Sequence, residues 1–253
     1  MKPSERAADQ YSQTTARLTA RMAIHAYGTN PQSWFSWLST RVPSTGEVLE
    51  VGAGTGELWR QVDHSTARLT LVDSSPAMCA RLREIPGAQV EQCDAAKLPF
   101  ADASFDAVIA NHMLYHVDDP AAVIREFARV LRPGGRLAVA LNGRGHFAEL
   151  CALGPAIGQP GLTLTGTRED VTVESAPALI AEHFTEVTVE SFPGDLSVPA
   201  AGPVLDYLLS IPADPVTPDQ EAAARALIEA RIAAEGSFRI RKSTGLITGR
   251  HPC

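Results

Sequence analysis

From Glu47 onward, apolar residues come in short runs separated by polar, glycine-rich or proline-rich turns. Glu47–Val51, Leu69–Asp73, Gln89–Cys93, Phe105–Ala110 and Arg136–Leu141 are too short for helices, and all but the polar Gln89–Cys93 are rich in apolar residues, so they read as strands. Helical patterns sit between them. Glu57–Val62 starts one helix. Ser75-Pro76 supplies an N-cap and a first-turn proline for a second, which ends before Pro86-Gly87. Asp119-Pro120 opens a third, with Val123, Ile124, Phe127, Val130 and Leu131 on one face and Pro133-Gly134-Gly135 closing it. Strands alternating with helices imply right-handed crossovers and a parallel sheet with helices on both faces.

The flanking segments are less regular. Thr14–Tyr27 reads as a helix with Leu18, Met22 and His25 or Ala26 on one side, broken by Asn30-Pro31. Ser33–Val42 is a second, short helix carrying Trp34, Phe35, Trp37 and Leu38. Asn142–Thr167 is a long loop or a short helix. Ser175–Phe184 is a helix and Thr185–Ser191 a sixth strand. Pro193–Pro215 is proline-rich around an apolar Val204–Leu209, and Gln220–Glu235 is an alanine-rich helix. In the tail, Ser237–Arg241 and Gly245–Gly249 form one last strand or a broken one. No repeat is present, and no linker is clean enough to mark a boundary.

Composition narrows the function. The 253 residues are 45% hydrophobic and 20% charged, the mix of an ordinary globular protein. Net charge is −7, and lysine occurs only at Lys2, Lys97 and Lys242. A protein that grips phosphate backbones carries a basic face, so a nucleic-acid partner is not expected and a small-molecule partner is. No apolar run reaches the roughly 20 residues of a membrane span, and the polar first ten residues do not read as a signal peptide; a cytoplasmic protein with no membrane partner is expected. Cys79, Cys93, Cys151 and Cys253 include no Cys-x-x-Cys pair, as for thiols in a reducing compartment.

The chemistry concentrates at Val48–Trp59, where a strand delivers Gly52, Gly54 and Gly56 into a helix start. Such a loop lets a ligand approach the backbone closely. Alone it is weak, because several nucleotide folds share it. The dinucleotide fingerprint would need its third glycine at position 57, which is Glu57, and no Gly-Lys-Ser/Thr phosphate loop is present. Asp73 ends the second strand at the distance where an acid accepts ribose hydroxyls; its other reading is a cap for the next helix. Asp94, after the third strand, is either an acceptor for an adenine amino group or a turn residue.

The ordered segments VLEVGAGTG, LVDSSPAMCARLRE, VEQCDAAKLPFADASFDAVIANHMLYHV and REFARVLRPGGRLAVAL cover Glu47 to Leu141. Together they resemble the class I S-adenosylmethionine-dependent methyltransferases, most closely the ubiquinone/menaquinone-biosynthesis type and its bacterial small-molecule relatives. The resemblance implies a Rossmann-like, doubly wound, seven-stranded α/β sheet, mostly parallel with an antiparallel last strand. It implies residues 1–45 as an N-terminal helical cap and 46–253 as the catalytic domain, with substrate-specificity insertions around 142–170 and 193–235.

It also implies roles. Glu50 orients the loop and reaches the methionine amino group. Gly52, Ala53 and Gly54 pass under the methionine and ribose, and Asp73 holds the ribose hydroxyls. Ser74 and Met78 flank the adenine, while Asp94 and Ala95 hold its edge. Asn111 offers its backbone carbonyl to the methionine ammonium, and Tyr11 closes over that end.

His112 and His116, four residues apart after the fourth strand, are candidates for a general base or for packing. With no third ligand at a convincing spacing, no metal is expected. His25, Tyr115 and Trp34 are candidate substrate contacts, although Trp34, Phe35 and Trp37 also suit cap-to-core packing. His146 and His183 read as surface or loop residues. Phe147, Leu150, Leu153, Leu162, Val204, Leu205, Tyr207 and Leu208 are apolar enough to wall a lipophilic pocket.

The expected reaction is in-line methyl transfer to O, N, S or C of a small acceptor, with S-adenosylhomocysteine as product, by a monomer or homodimer; by analogy with such relatives, a role in secondary metabolism is expected. Alternatives are a cofactor-binding relative that does not methylate (a cyclase or scaffold) and a nicotinamide-dependent oxidoreductase. Against the last stand Glu57 and the lack of a Tyr-x-x-x-Lys pair.

Overall fold

Period-two alternation along the strands builds the molecule. In β1 (Gly46–Val51), Val48 points to one face of the sheet and Leu49 and Val51 to the other. In β4 (Phe105–Asn111), Ala107 and Ile109 share the first face, Val108 and Ala110 the second. β5 (Leu131–Asn142) repeats the pattern, with Ala138 and Ala140 against Leu137, Val139 and Leu141. Strands apolar on both faces belong inside a sheet covered on both sides. The computed structural model, which describes residues 2–4, 21–162, 170–211 and 215–253, shows that arrangement.

The main sheet has seven strands in the order β3-β2-β1-β4-β5-β9-β6. The other members are β2 (Ala67–Asp73), β3 (Gln89–Gln92), β6 (Thr185–Ser191) and β9 (Thr244–Arg250). Neighbours from β3 through β5 pair in parallel, whereas β9 runs antiparallel to both β5 and β6. The antiparallel last strand therefore lies inside the sheet, and β6 forms the edge.

One face is covered by α1 (Trp34–Ser39), α2 (Glu57–Gln61) and α3 (Pro76–Leu82), through Trp37, Leu38, Leu58, Trp59 and Leu82. The opposite face is covered by α4 (Pro120–Val130) and α7 (Ala176–Ile180), through Val123, Ile124, Phe127, Val130 and Ile180. The helix starts follow their capping chemistry: Ser75 accepts from Met78 N, and Asp119 accepts from Ala122 N at 3.0 Å, each ahead of a first-turn proline.

A third apolar cluster stands apart from the sheet. It joins Ile24, in the 3₁₀ turn Ile24–Tyr27, to α5 (Ala148–Cys151), α6 (Leu153–Ala156), α8 (Ala201–Ser210) and α9 (Pro218–Glu235). It also includes a two-stranded antiparallel sheet of β7 (Leu196–Val198) and β8 (Phe238–Ile240). The tail is thus two strands in two sheets: β8 pairs with β7, and the chain then enters β9. This unit attaches where β5 ends and β9 begins, through Gly143 N to Ser243 O at 3.0 Å and Phe147 N to Arg241 O at 2.9 Å.

Two expectations change. Phe147, Leu150, Leu153, Leu162, Val204, Leu205, Tyr207 and Leu208 do not wall a pocket; they are buried together as the core of this unit. The 142–167 stretch holds two short helices in its described part. Of the first expected helix, only Arg21 onward is described; it passes into the 3₁₀ turn, and Tyr11 lies outside the described residues. Among the described residues, no helix is long and apolar enough to cross a membrane.

Candidate active site

In open α/β sheets, ligands bind beyond the carboxyl ends of the strands, where the strand order reverses. Here that point lies between β1 and β4. The loop after β1 is tied down from β2: Gly52 N and Ala53 N donate to Val72 O at 2.9 and 3.1 Å, and Gly54 N donates to Asp73 Oδ2 at 3.0 Å.

The three glycines serve different purposes. All have positive φ. A Cβ on Gly52 would strike the Met113 side chain at 2.6 Å, and one on Gly56 would strike Ile85 Cδ1 at 2.2 Å. Those two are glycine because the protein packs against them. A Cβ on Gly54 would meet nothing within 4 Å. Gly54 faces open space beside a carboxylate, as a surface for close ligand approach does.

Asp73 uses both oxygens on backbone amides, Oδ2 on Gly54 and Oδ1 on Ser75 at 2.9 Å. Its remaining lone pairs are available to hydroxyl donors. Burial raises its pKa, partly offset by the backbone bonds it accepts.

Glu50 is only 2% exposed. Burial lifts its carboxyl to about 8, against a lowering hydrogen bond from Trp59 and a raising charge at Asp73. Trp59 Nε1 donates to Glu50 Oε2 at 2.5 Å, so α2 fixes this acid beneath the loop. Nothing in the sequence marked Trp59 as its partner.

Ser74 and Asp94 are exposed, and Met78 and Ala95 are buried beside them. Asp94 Oδ1 accepts from Ala96 N at 2.9 Å. The turn reading of Asp94 therefore holds for one oxygen, and Oδ2 has no such bond. Asn111 ends β4, and its Oδ1 accepts from Trp34 Nε1 at 3.4 Å. This contact places Trp34 at the strand ends. Trp34 also stacks on Trp37 with ring centres 5.2 Å apart and meets Phe192 edge-on at 5.5 Å, so it packs the cap and borders the site at once.

The histidines depart most from expectation. His112 is not on a helix with His116; it has φ 56° and precedes the 3₁₀ turn Leu114–His116. Its Nδ1 is sealed from solvent with no hydrogen-bond partner among the described residues. Its ring lies 5.3 Å from that of Trp34. His116 packs edge-on to Tyr115 at 4.6 Å. Tyr115, expected at the acceptor, is buried in the core cluster under α4.

His146 is in a loop, as expected, but not at the open surface. It is half-buried, stacks on Phe147 at 4.2 Å, and places Nδ1 2.8 Å from Ser243 O. His25 is exposed as a residue, but its imidazole is desolvated enough to lower its pKa, and its ring lies 5.8 Å from that of Phe147. Lys242 brings Nζ to 4.6 Å over the Phe192 ring. Neither His146 nor Lys242 carries a motif that sequence reasoning could have used. Among the described residues, no group of three or more His, Cys, Asp or Glu side chains is placed to hold a metal ion.

Comparisons with known proteins bear on the family and the fold. A family model described as a methyltransferase domain matches residues 49–139. The ubiquinone/menaquinone biosynthesis C-methyltransferase of Desulfotalea psychrophila is 39% identical over 99 residues, which are 37% of this chain and 40% of that protein. A phosphatidylethanolamine N-methyltransferase of Cereibacter sphaeroides is 36% identical over 162 residues, 60% of this chain and 76% of that one. The chain thus spans less than half of the first relative and about three quarters of the second. Among solved structures, a SAM-dependent methyltransferase of Thermotoga maritima, described as a possible histamine N-methyltransferase, has the same fold. Its TM-score is 0.59 at 19% identity, covering 96% of this chain and 98% of that one.

Proposed function

This chain belongs to the family of S-adenosylmethionine-dependent methyltransferases, and we propose that it transfers the methyl group of S-adenosylmethionine to a small-molecule acceptor in the cytoplasm. The observation that carries the reading is Gly54: a left-handed glycine facing open space, hydrogen-bonded to the acid that ends β2. That cradle suits a ribose and the chain beyond it.

The donor, when bound, supplies a sulfonium methyl that is already activated. The protein has to bind, align and exclude water. Asp73 takes the ribose hydroxyls, and Gly52, Ala53 and Gly54 provide the floor. Ser74, Met78, Asp94 and Ala95 form the adenine side. The Asn111 carbonyl and Glu50, through the loop it supports, serve the methionine ammonium. Tyr11 belongs to the methionine end. His25, His112, His116 and Trp34 stand toward the acceptor. Residues 1–45, together with the segments around 142–170 and 193–235, form the acceptor-facing unit over a catalytic domain that starts at residue 46.

Calorimetry with S-adenosylmethionine, and with NAD as control, tests this reading. Micromolar binding of the first and none of the second is expected. Binding of NAD alone would overturn it in favour of hydride chemistry. Tight S-adenosylmethionine binding without S-adenosylhomocysteine formation across a panel of phenols, amines and thiols would point to a non-methylating relative.

A further inference from the structure

Four basic side chains from four parts of the chain converge beyond the ends of β4 and β5. His25 comes from the first 3₁₀ turn, His112 from the end of β4, His146 from the segment before α5, and Lys242 from the segment before β9. Protonation of one disfavours protonation of the others: charge on His146, Lys242, His25 or His116 lowers the pKa of His112, and charge on Lys242 lowers those of His25 and His146. Besides its own members, the titratable groups facing this set are His116, Tyr115, whose ring centre is 6.3 Å from that of His112, and Asp195, at the Lys242 backbone. Among the described residues, no carboxylate pairs with any of the four. Asp195, the nearest acid in the bonding pattern, accepts from the Lys242 backbone N, not from Nζ.

The site is held in shape. His112 and Phe147 both adopt φ near +57°, a cost of about 1–2 kcal/mol for a non-glycine residue. At His112 this turn fixes the ring between Trp34 and the loop, where the next residue, Met113, packs on Gly52. At Phe147 it lays the ring flat under His146. The His146 Nδ1 contact to the Ser243 carbonyl oxygen has one sense only: the nitrogen must donate, since the oxygen carries no proton. In the neutral ring, Nε2 is then the unprotonated nitrogen. His112 Nδ1 is a buried polar atom with no hydrogen-bond partner among the described residues. Trp34 and Phe192 supply flat apolar walls.

We propose that this cluster is the acceptor subsite and that it takes a phenolic or enolic hydroxyl, held as its oxyanion by Lys242 with His146 Nε2 receiving the proton. This rests on the methyltransferase reading above. In the step, the acceptor O–H bond breaks and its proton goes to His146 Nε2. The oxygen electron pair forms the new O–CH₃ bond as the S–CH₃ bond breaks and leaves its pair on sulfur. A carboxylate acceptor would need no base, and a cationic amine would be repelled by Lys242.

Burial and the neighbouring positive charges hold His25 at about 4 and His112 and His146 at about 3, so all three are neutral near pH 7. Burial lowers Lys242 to about 8, where the ammonium still predominates. An arriving oxyanion places a negative charge beside them. It raises the proton affinity of the imidazoles at the moment a base is needed.

Para-nitrophenol, whose phenolate is coloured, tests this without turnover. It is titrated into the full chain saturated with S-adenosylhomocysteine, and its ionisation is followed against pH. The bound phenol is expected to ionise about one pH unit lower than in water. Lys242→Met should abolish the displacement, and Lys242→Arg, which keeps the charge, should retain most of it. His146→Gln should leave binding in place but slow methylation of para-nitrophenol at least a hundredfold. An unshifted phenol in the wild-type complex, a shift that survives Lys242→Met, or no phenol binding would overturn the proposal. Failure to bind S-adenosylhomocysteine at all would instead sink the methyltransferase reading, and calorimetry in the same samples separates the two.

Discussion

Asp73 Oδ2 accepts the amide proton of Gly54 at 3.0 Å, so the acid that ends β2 also sets the loop that follows β1. One carboxylate therefore shapes the floor of the site and offers lone pairs into it. Asp73→Asn keeps the size but loses the charge and one acceptor position. Charge-assisted hydrogen bonds contribute about 1.5–3 kcal/mol each. The substitution should weaken S-adenosylmethionine binding by at least tenfold while melting only a few degrees lower. Calorimetry and a thermal melt on one preparation check both; unchanged affinity would remove Asp73 from the cofactor site.

The three loop glycines should separate binding from stability. Gly54→Ala adds a Cβ where the protein has none nearby, so it costs only the roughly 1–2 kcal/mol of left-handed strain. Its methyl group, however, occupies the face where a ligand would lie. Gly56→Ala forces a 2.2 Å approach to Ile85 and should destabilise the fold by more, about 3 kcal/mol. Gly54→Ala should thus lose cofactor binding with a near-normal denaturation midpoint, and Gly56→Ala should lose the midpoint first. The reverse ranking would mean that Gly54 serves folding alone.

The parts of the chain that obey local rules could be read without coordinates. β1, β2, β4 and β5 alternate in short apolar runs, and Ser75-Pro76 and Asp119-Pro120 cap helices as such pairs do. The Gly52–Gly56 loop and Asp73 followed from spacing. The proposed acceptor side was not legible in this way. His146 and Ser243 lie far apart in sequence, and their contact exists only because β5 and β9 pair antiparallel. Tyr207 and Leu208 looked like pocket lining because apolar composition does not say which face is covered. They are core because α8 and α9 close on each other, and only tertiary packing decides that.

Glu50 should make cofactor binding pH-dependent. Its folded carboxyl sits at about 8 and its ordinary value is 4.5, so near pH 7 it is largely protonated in the unliganded protein. A sulfonium and an ammonium arriving nearby lower that value and expel the proton. Binding enthalpies measured in buffers of different ionisation heat should therefore reveal release of a fraction of a proton near pH 7. Glu50→Gln should abolish that release. The same shift acts on stability: the raised acid favours the fold fully below pH 4.5, and this contribution is lost as pH rises through about 8. Wild-type stability should fall across that window more steeply than that of Glu50→Gln. Parallel curves would mean that Glu50 is ionised in the folded protein.

Arg129 supports the segment proposed to line the adenine. From α4 its guanidinium donates to Leu98 O at 3.0 Å and Phe100 O at 2.7 Å, and it pairs with Glu126 and Asp102. Glu126 in turn accepts from Leu98 N at 2.9 Å. This network anchors the segment that follows Asp94 and Ala95, where two backbone carbonyls and one amide would otherwise lack protein partners. Lysine cannot replace it, because a point charge does not span a fork of acceptors. Arg129→Lys should destabilise the protein by about 1–2 kcal/mol, and Arg129→Met by more. Both should weaken S-adenosylmethionine more than S-methylmethionine, which has the sulfonium and the amino acid but no adenosine to place. Competition binding with the two ligands decides this, and equal loss for both would assign Arg129 to general stability.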